Sequence, residues 1–188
     1  MNTPRYTSIA IGLHWLIALM ILGSFGVGLY MTDLTLSPFK LRLYSWHKWA
    51  GVTIFSLVLI RCLWRLTHVA PPLPEHMPRW QRIAAEGSHY LLYALMIVIP
   101  LSGWLMSSAK GFQTVYFGVI PLPDLLDKNI DLGDTLALVH KTLNFTMMGL
   151  VIAHTAAALK HHVIDKDDIL RRMLPAKRNR SQVRNLPS

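Results

Sequence analysis

Two histidines lie at the spacing that two metal ligands on one helix would need. His140 and His154 are fourteen residues apart in the apolar run of residues 140–162. Fourteen steps of about 100° fall about 40° short of four turns, so both imidazoles lie close to one helix face. They are separated by about 21 Å along the axis. Neutral imidazole is a good ligand for haem iron, so this helix could supply one ligand to each of two stacked haems.

Four long apolar runs could place such histidines inside a membrane. The chain is 52% hydrophobic and 15% charged, whereas soluble domains carry about 25% charged residues. Each run has about the 20 residues that a spanning helix needs. We predict spans over about residues 9–30, 44–66, 86–106 and 134–159. The predicted fold is an all-α membrane protein, a four-transmembrane-helix bundle.

The distribution of lysine and arginine predicts how this bundle is oriented. The region that joins spans two and three carries four arginines, and the sequence after span four carries eight lysines and arginines. The connection between spans three and four has four aspartates against two lysines. By the positive-inside rule, both termini are expected in the cytoplasm. Residues 1–174 form the predicted domain, and residues 175–188 are expected to be a basic, disordered tail that contacts membrane lipid.

This orientation sorts the histidines into two depths. His14 and His154 each lie about six residues from the cytoplasmic end of their spans, while His47 and His140 lie on the outer side. Intramembrane polar groups are expensive and tend to mark function. Two pairs at two depths match two haem irons, each with two axial imidazoles. His89 also lies on the inner side, so it is an alternative to His14 as the ligand opposite His154.

Further residues at the inner end could serve the same cofactors. His161 follows His154 by seven residues and projects on the same stripe near the inner water interface, where it could pass protons to a reduced quinone or contact lipid headgroups. If His89 is not a ligand, it could belong to the quinone site. Arg61 follows His47 by fourteen residues, and it could neutralise an inner haem propionate or extend to the interface as a topology-setting arginine.

Cations are concentrated near the outer histidines. Lys40, Arg42, Lys48 and Lys141 are close in sequence to His47 or His140. They could hold outer propionates or attract a small anion. His68 and His76 lie in the polar connection between spans two and three, so we expect them to be solvated.

Cys62 is the only cysteine. A single thiol excludes an internal disulfide, a CxxC metal site and the CxxCH attachment of a c-type haem. Any haem must therefore be held non-covalently, through histidine ligands. The net charge of +9 comes from residues at the span ends and in the tail, which indicates membrane topology rather than nucleic-acid binding.

Five segments together resemble the bacterial cytochrome b561 family, which is related to the cytochrome b subunits of hydrogenases and formate dehydrogenases. They are IGLHWLIALM, WHKWAGVTI, GSHYLLYALM, AHTAAALKHH and DKDDILRRMLP. The resemblance extends over nearly the whole chain to about Pro175. It implies an inner-membrane protein with two b haems that exchanges electrons with quinone. Carried onto this sequence, its ligand pattern falls on His14, His47, His140 and His154.

The predicted function is that of a dihaem b-type cytochrome that moves electrons across the bacterial inner membrane to or from the quinone pool. Two imidazoles per iron leave no open coordination position, which disfavours oxygen storage and activation. One alternative is a superoxide:ubiquinone oxidoreductase acting at the periplasmic face, an activity known in this family. Its partners would be superoxide, or another periplasmic electron donor, and ubiquinone. The other alternative is a non-haem metal transporter that uses the same histidines.

Overall fold

A computed structural model describes residues 5–74 and 77–175 of the protein. Four long helices dominate this part of the chain, followed by a short fifth helix; a small hairpin lies between the third and fourth. The helices are α1 (Ser8–Asp33), α2 (Pro38–Thr67), α3 (Arg79–Ala109), α4 (Ile130–Val163) and α5 (Ile169–Arg172). Each of the first four is long and apolar enough to cross a membrane. The prediction of an all-α bundle with four spanning helices is therefore confirmed.

Polar side chains fix where three of these helices begin. The Thr7 hydroxyl accepts a hydrogen bond from the backbone N–H of Ala10 at 3.2 Å. Ser37 and Asn129 play the same part at the starts of α2 and α4. Such caps satisfy amide groups that have no partner inside the helix. Pro38 also favours the start of α2, because proline lacks an N–H that would otherwise be unpaired.

A small apolar core joins α1, α2 and α3. Ile17, Ile54 and Val58 are buried, and partly buried side chains of all three helices pack around them. By contrast, Leu63 and Leu138 leave 64% and 65% of their surface exposed. Large exposed leucines on long apolar helices are the pattern expected where lipid covers the protein.

The connection between α3 and α4 forms a short antiparallel hairpin. Its strands are β1 (Val115–Tyr116) and β2 (Ile120–Pro121). Two side chains of α2 hold it: Lys48 Nζ donates to the Phe112 carbonyl at 2.8 Å, and Trp49 Nε1 donates to the Val115 carbonyl at 2.7 Å. The hairpin thus lies directly beside the turn of α2 that carries His47.

The segment after α4 folds back onto the opposite end of the bundle. The indole N–H of Trp15 donates to the Met173 carbonyl at 2.8 Å. Arg172 pairs with Asp168 at 2.8 Å and also donates to the Pro72 carbonyl. These contacts tie the segment to α1 and to the connection between α2 and α3. Beyond Pro175, the predicted tail lies outside the described residues.

Candidate functional site

His47 on α2 and His140 on α4 face each other across the bundle. Their ring centres are 6.3 Å apart and their planes meet at 88°. The Nδ1–H of His47 donates to the Ser24 carbonyl at 3.1 Å, and that of His140 donates to the Ile99 carbonyl at 3.1 Å. A carbonyl oxygen only accepts hydrogen bonds, so each Nδ1 carries the proton and each Nε2 keeps a free lone pair.

Hydroxyl groups on the neighbouring helices hold the same nitrogens. The Ser24 hydroxyl lies 3.1 Å from Nδ1 of His47, and the Ser102 hydroxyl lies 2.9 Å from Nδ1 of His140. Hydrogen bonds of this kind orient metal-bound imidazoles and fix their tautomer. The sequence does not indicate these roles for Ser24 and Ser102, because a serine hydroxyl in a spanning helix can bond a backbone carbonyl of its own helix.

The level predicted to be on the cytoplasmic side, which we call the inner level, brings together three imidazoles. The rings of His14 and His154 have centres 6.4 Å apart with planes at 61°. The rings of His89 and His154 are closer, at 5.4 Å with planes at 64°. Both candidates for the partner of His154 are therefore adjacent to it.

Ring spacing tests whether these pairs fit a shared haem iron. A metal–imidazole nitrogen distance is about 2.0–2.1 Å, and that nitrogen lies about 1.1 Å from its ring centre, so rings on opposite sides of one metal have centres about 6.3 Å apart. The His47–His140 and His14–His154 pairs match this spacing. The His89–His154 distance is shorter than it. The donor set and spacing thus fit two pairs of imidazoles that would hold haem iron, with His14 rather than His89 as the partner of His154.

Small residues leave space beside the histidines. A Cβ built on Gly12 or Gly51 meets no atom within 4 Å. Gly51 lines an apolar cleft that also includes His47 and His140. By contrast, a Cβ on Gly103 would lie 3.0 Å from Cε1 of His140. Gly51 therefore leaves room for a flat group, while Gly103 lets the His140 ring approach α3.

At the inner end, Arg61 is held between two other helices. Its Nε donates to the Tyr93 hydroxyl at 2.9 Å, and its Nη1 donates to the Ala10 carbonyl at 2.7 Å. These bonds place a fixed positive charge one turn of α1 from His14. The position is compatible with the predicted role of neutralising a haem propionate.

His161 is paired with carboxylates just beyond α4. Its Nδ1 lies 2.7 Å from Oδ2 of Asp167 and 3.0 Å from Oδ2 of Asp165. Asp167 also accepts a hydrogen bond from the Ile169 amide at 3.1 Å. Lys166 adopts a positive φ of 53°, which turns the chain so that Asp167 returns towards the helix. Nothing in the sequence spacing alone indicated this pairing.

The other predicted residues are more dispersed. Lys40 donates to the carbonyls of Thr32 and Leu34, and Lys48 to the hairpin, so both have structural contacts. Arg42 and Lys141 are exposed. His68 is also exposed, with its ring stacked on Trp64 at 3.9 Å. His76, predicted to be solvated, lies outside the described residues.

A bundle of four membrane-spanning helices with paired imidazoles between them has the architecture of a membrane cytochrome. The family profile described as prokaryotic cytochrome b561 matches residues 5–176. The chain belongs to this family, which confirms the resemblance read from its motifs. It is therefore a membrane b-type cytochrome of the bacterial inner membrane.

Three relatives are similar to this chain over nearly their whole lengths. "Cytochrome b561 homolog 2" of Escherichia coli K12 is 38% identical over 176 residues, which cover 92% of this chain and 93% of the relative. "Probable superoxide oxidase CybB" of Yersinia pestis is 32% identical over 180 residues, 93% and 98% of the two chains. "Cytochrome b561 homolog 1" of E. coli K12 is 27% identical over 180 residues, 93% and 99%.

Proposed function

We propose that this protein is a dihaem cytochrome that passes single electrons across the inner membrane between an outer donor and the quinone pool. The observation that carries the proposal is the pair of ring spacings, 6.3 Å for His47–His140 and 6.4 Å for His14–His154. Haem b supplies a one-electron iron couple when it is bound at such a pair. Residues 1–174 would form the domain that holds both cofactors.

The chain's own residues prepare the two outer ligands for iron. Ser24 and Ile99 accept hydrogen bonds through their carbonyl oxygens from the Nδ1–H groups of His47 and His140, which leaves each Nε2 lone pair available to iron. Arg61 would balance the negative charge of an inner propionate while Tyr93 and Ala10 hold it in place. With two imidazoles on each iron, neither site would have an open position for oxygen.

His161 would handle the proton that accompanies quinone reduction. Its Nδ1 is engaged by Asp167, which leaves Nε2 as the atom that can exchange a proton with a quinone oxygen. His89 lies beside His154 without the spacing of a second axial ligand. We therefore assign His89 to the surroundings of the inner haem or the quinone, which we take to be ubiquinone.

An optical spectrum of the dithionite-reduced protein, combined with haem counting, tests the proposal. Two low-spin b haems per chain are expected. Replacing His47 with Ala should remove one of them, whereas His68→Ala, a matched control at an exposed histidine, should remove none. A wild-type protein with a single haem, or a His47 variant that keeps both, would overturn the dihaem assignment.

A more specific candidate function is oxidation of superoxide at the outer face with transfer of the electron to ubiquinone. The supporting observation is similarity to a relative named a probable superoxide oxidase, together with exposed Arg42 and Lys141 near the outer histidines. A positive surface would attract the superoxide anion, and salt would screen that attraction.

Stopped-flow reduction of the oxidised protein by superoxide tests this candidate. Arg42→Gln should slow the second-order rate several-fold at low salt and little at high salt. Arg79→Gln removes the same charge from an exposed residue at the start of α3, so it serves as a control. If superoxide fails to reduce the wild-type protein rapidly, the donor is a different molecule. A non-haem metal transporter, the remaining alternative, finds no support in the family assignment.

A further inference from the structure

A second cleft lies at the end of the bundle where α1 begins and α2 ends. Three arginines line it, namely Arg5, Arg61 and Arg65, together with Trp64, His68 and Tyr93. Among the described residues that line this cleft there is no aspartate or glutamate. We call this feature the basic cleft. Several like charges without a nearby carboxylate repel one another, so an anion bound there would be stabilised.

The three arginines differ in how many of their N–H donors already have hydrogen-bond partners. Arg61 is held by the Tyr93 hydroxyl and the Ala10 carbonyl. Arg5 donates through Nη2 to the carbonyls of Arg171 and Leu174, which leaves Nε and Nη1 without a bond among the described residues. The guanidinium of Arg65 lies 5.8 Å from the Tyr93 ring centre, and within the described part of the chain it makes no hydrogen bond or ion pair. Arg5 and Arg65 therefore keep donors for an external anion.

An aromatic ring of α2 flanks the basic cleft. Trp64 lines it one turn after Arg61, on the same face of the helix as Arg65 and His68. The Trp64 indole N–H bonds the Thr7 hydroxyl at 3.0 Å, which fixes a large aromatic ring at this level. Tryptophan at the end of a spanning helix is typical of the headgroup region. The cleft thus combines arginine charges with an aromatic ring of the kind found at the headgroup level of a membrane.

We propose that the basic cleft binds the phosphate of an anionic phospholipid such as phosphatidylglycerol. Arg5 and Arg65 would contact the phosphate, and the glycerol and the first part of the acyl chains would pass beside the Trp64 ring. Basic pockets between spanning helices at the cytoplasmic side suit anionic headgroups for this reason. The site goes beyond electron transfer, since it needs neither quinone nor an outer donor.

Native mass spectrometry of the purified, haem-loaded protein tests the proposal. The protein is taken from mixed micelles that contain equal amounts of phosphatidylglycerol and phosphatidylcholine. Wild-type protein should retain phosphatidylglycerol preferentially. The double variant Arg5→Gln, Arg65→Gln should retain about tenfold less phosphatidylglycerol, because both proposed contacts to the phosphate are lost. Arg79→Gln, Arg82→Gln removes the same charge from the start of α3 and should retain the lipid.

Three results would overturn the lipid assignment. The first is equal retention by the two double variants. The second is a thermal shift with inorganic phosphate that matches the shift with phosphatidylglycerol, which would make this a site for free anions. The third is loss of a haem from the Arg5, Arg65 variant, which would assign these arginines to haem propionates. Haem spectra of the same samples keep this test separate from the dihaem proposal, because lipid retention can fail while both haems remain.

Discussion

The outer imidazoles are each held by two oxygens of one neighbouring helix. For His47 both oxygens belong to Ser24, and for His140 they belong to Ser102 and Ile99. A ring that donates through Nδ1 to a fixed acceptor is a better electron donor through Nε2. The rings of His14 and His154 have no hydrogen-bond partner within residues 5–74 and 77–175. The outer pair is therefore the more rigidly prepared of the two.

The inner ligand pair gives a prediction that separates His14 from His89. His14→Ala should remove the inner haem, because only the His14 ring stands opposite His154 at the spacing of a shared iron. His89→Ala should keep both haems and shift the absorption or potential of one. Haem counting and redox titration of the two variants measure this. Loss of a haem from the His89 variant alone would exchange the roles of the two residues.

The close contact between Gly103 and the His140 ring gives a second prediction. In Gly103→Ala the new methyl group would lie 3.0 Å from Cε1 of His140, so the ring must move by a few tenths of an ångström. Overpacking of this kind costs about 1–3 kcal/mol. We expect a shifted potential, or partial loss, of the outer haem in redox titrations. Gly87→Ala in the same helix meets nothing within 4 Å and should leave the potential unchanged.

At the scale of elements, the hairpin and the C-terminal segment close the two ends of the bundle. Lys48 and Trp49 bind the hairpin from α2, and Trp15 binds the segment after α4 from α1. Each anchoring residue lies within two positions of a proposed ligand, His47 or His14. The hairpin and the segment after α4 are therefore attached to the helix turns that carry the proposed ligands.

Lys48 could act by anchoring the hairpin or by attracting an anion, and a substitution distinguishes the two roles. Lys48→Met removes the hydrogen bond to Phe112 and should destabilise the hairpin by about 1 kcal/mol. Limited proteolysis in the connection between α3 and α4 should then become faster, and Arg42→Gln should not change it. If Lys48→Met slows reduction by superoxide without faster proteolysis, then its charge matters more than its anchor.

Periodicity and length were enough to predict the four helices and the two depths of histidine. The predicted depth of each histidine could not show whether His14 or His89 is the partner of His154, because both lie near the inner level. The difference depends on how α1 and α3 are rotated about their axes, which the sequence does not give. The hairpin was missed because each strand has two residues, too few for an alternating pattern. The Asp167 contact with His161 depends on the positive φ of Lys166, which the sequence pattern does not reveal.

At the scale of the whole molecule, charge is divided between the two ends of the bundle. The end that holds the start of α1 and the end of α2 carries Arg5, Arg61 and Arg65. The other end also has cations near His47 and His140, but its connection between α3 and α4 adds four aspartates against two lysines. Lysine and arginine near spanning helices are retained on the cytoplasmic side. This asymmetry would place His14 and His154 inward, facing a quinone that takes its protons from the cytoplasm.

Reporter fusions test this orientation. A fluorescent protein fused after Ser188 should fold and fluoresce in the cytoplasm, whereas alkaline phosphatase at the same point should be inactive, because it needs the oxidising periplasm for its disulfides. Alkaline phosphatase inserted at Gly118, in the turn of the hairpin, should be active and so provides the matched control. The reverse pattern at both points would show that the bundle has the opposite orientation in the membrane. His47 and His140 would then form the inner level, and the exposed Arg42 would face the cytoplasm, where it could not attract a periplasmic anion.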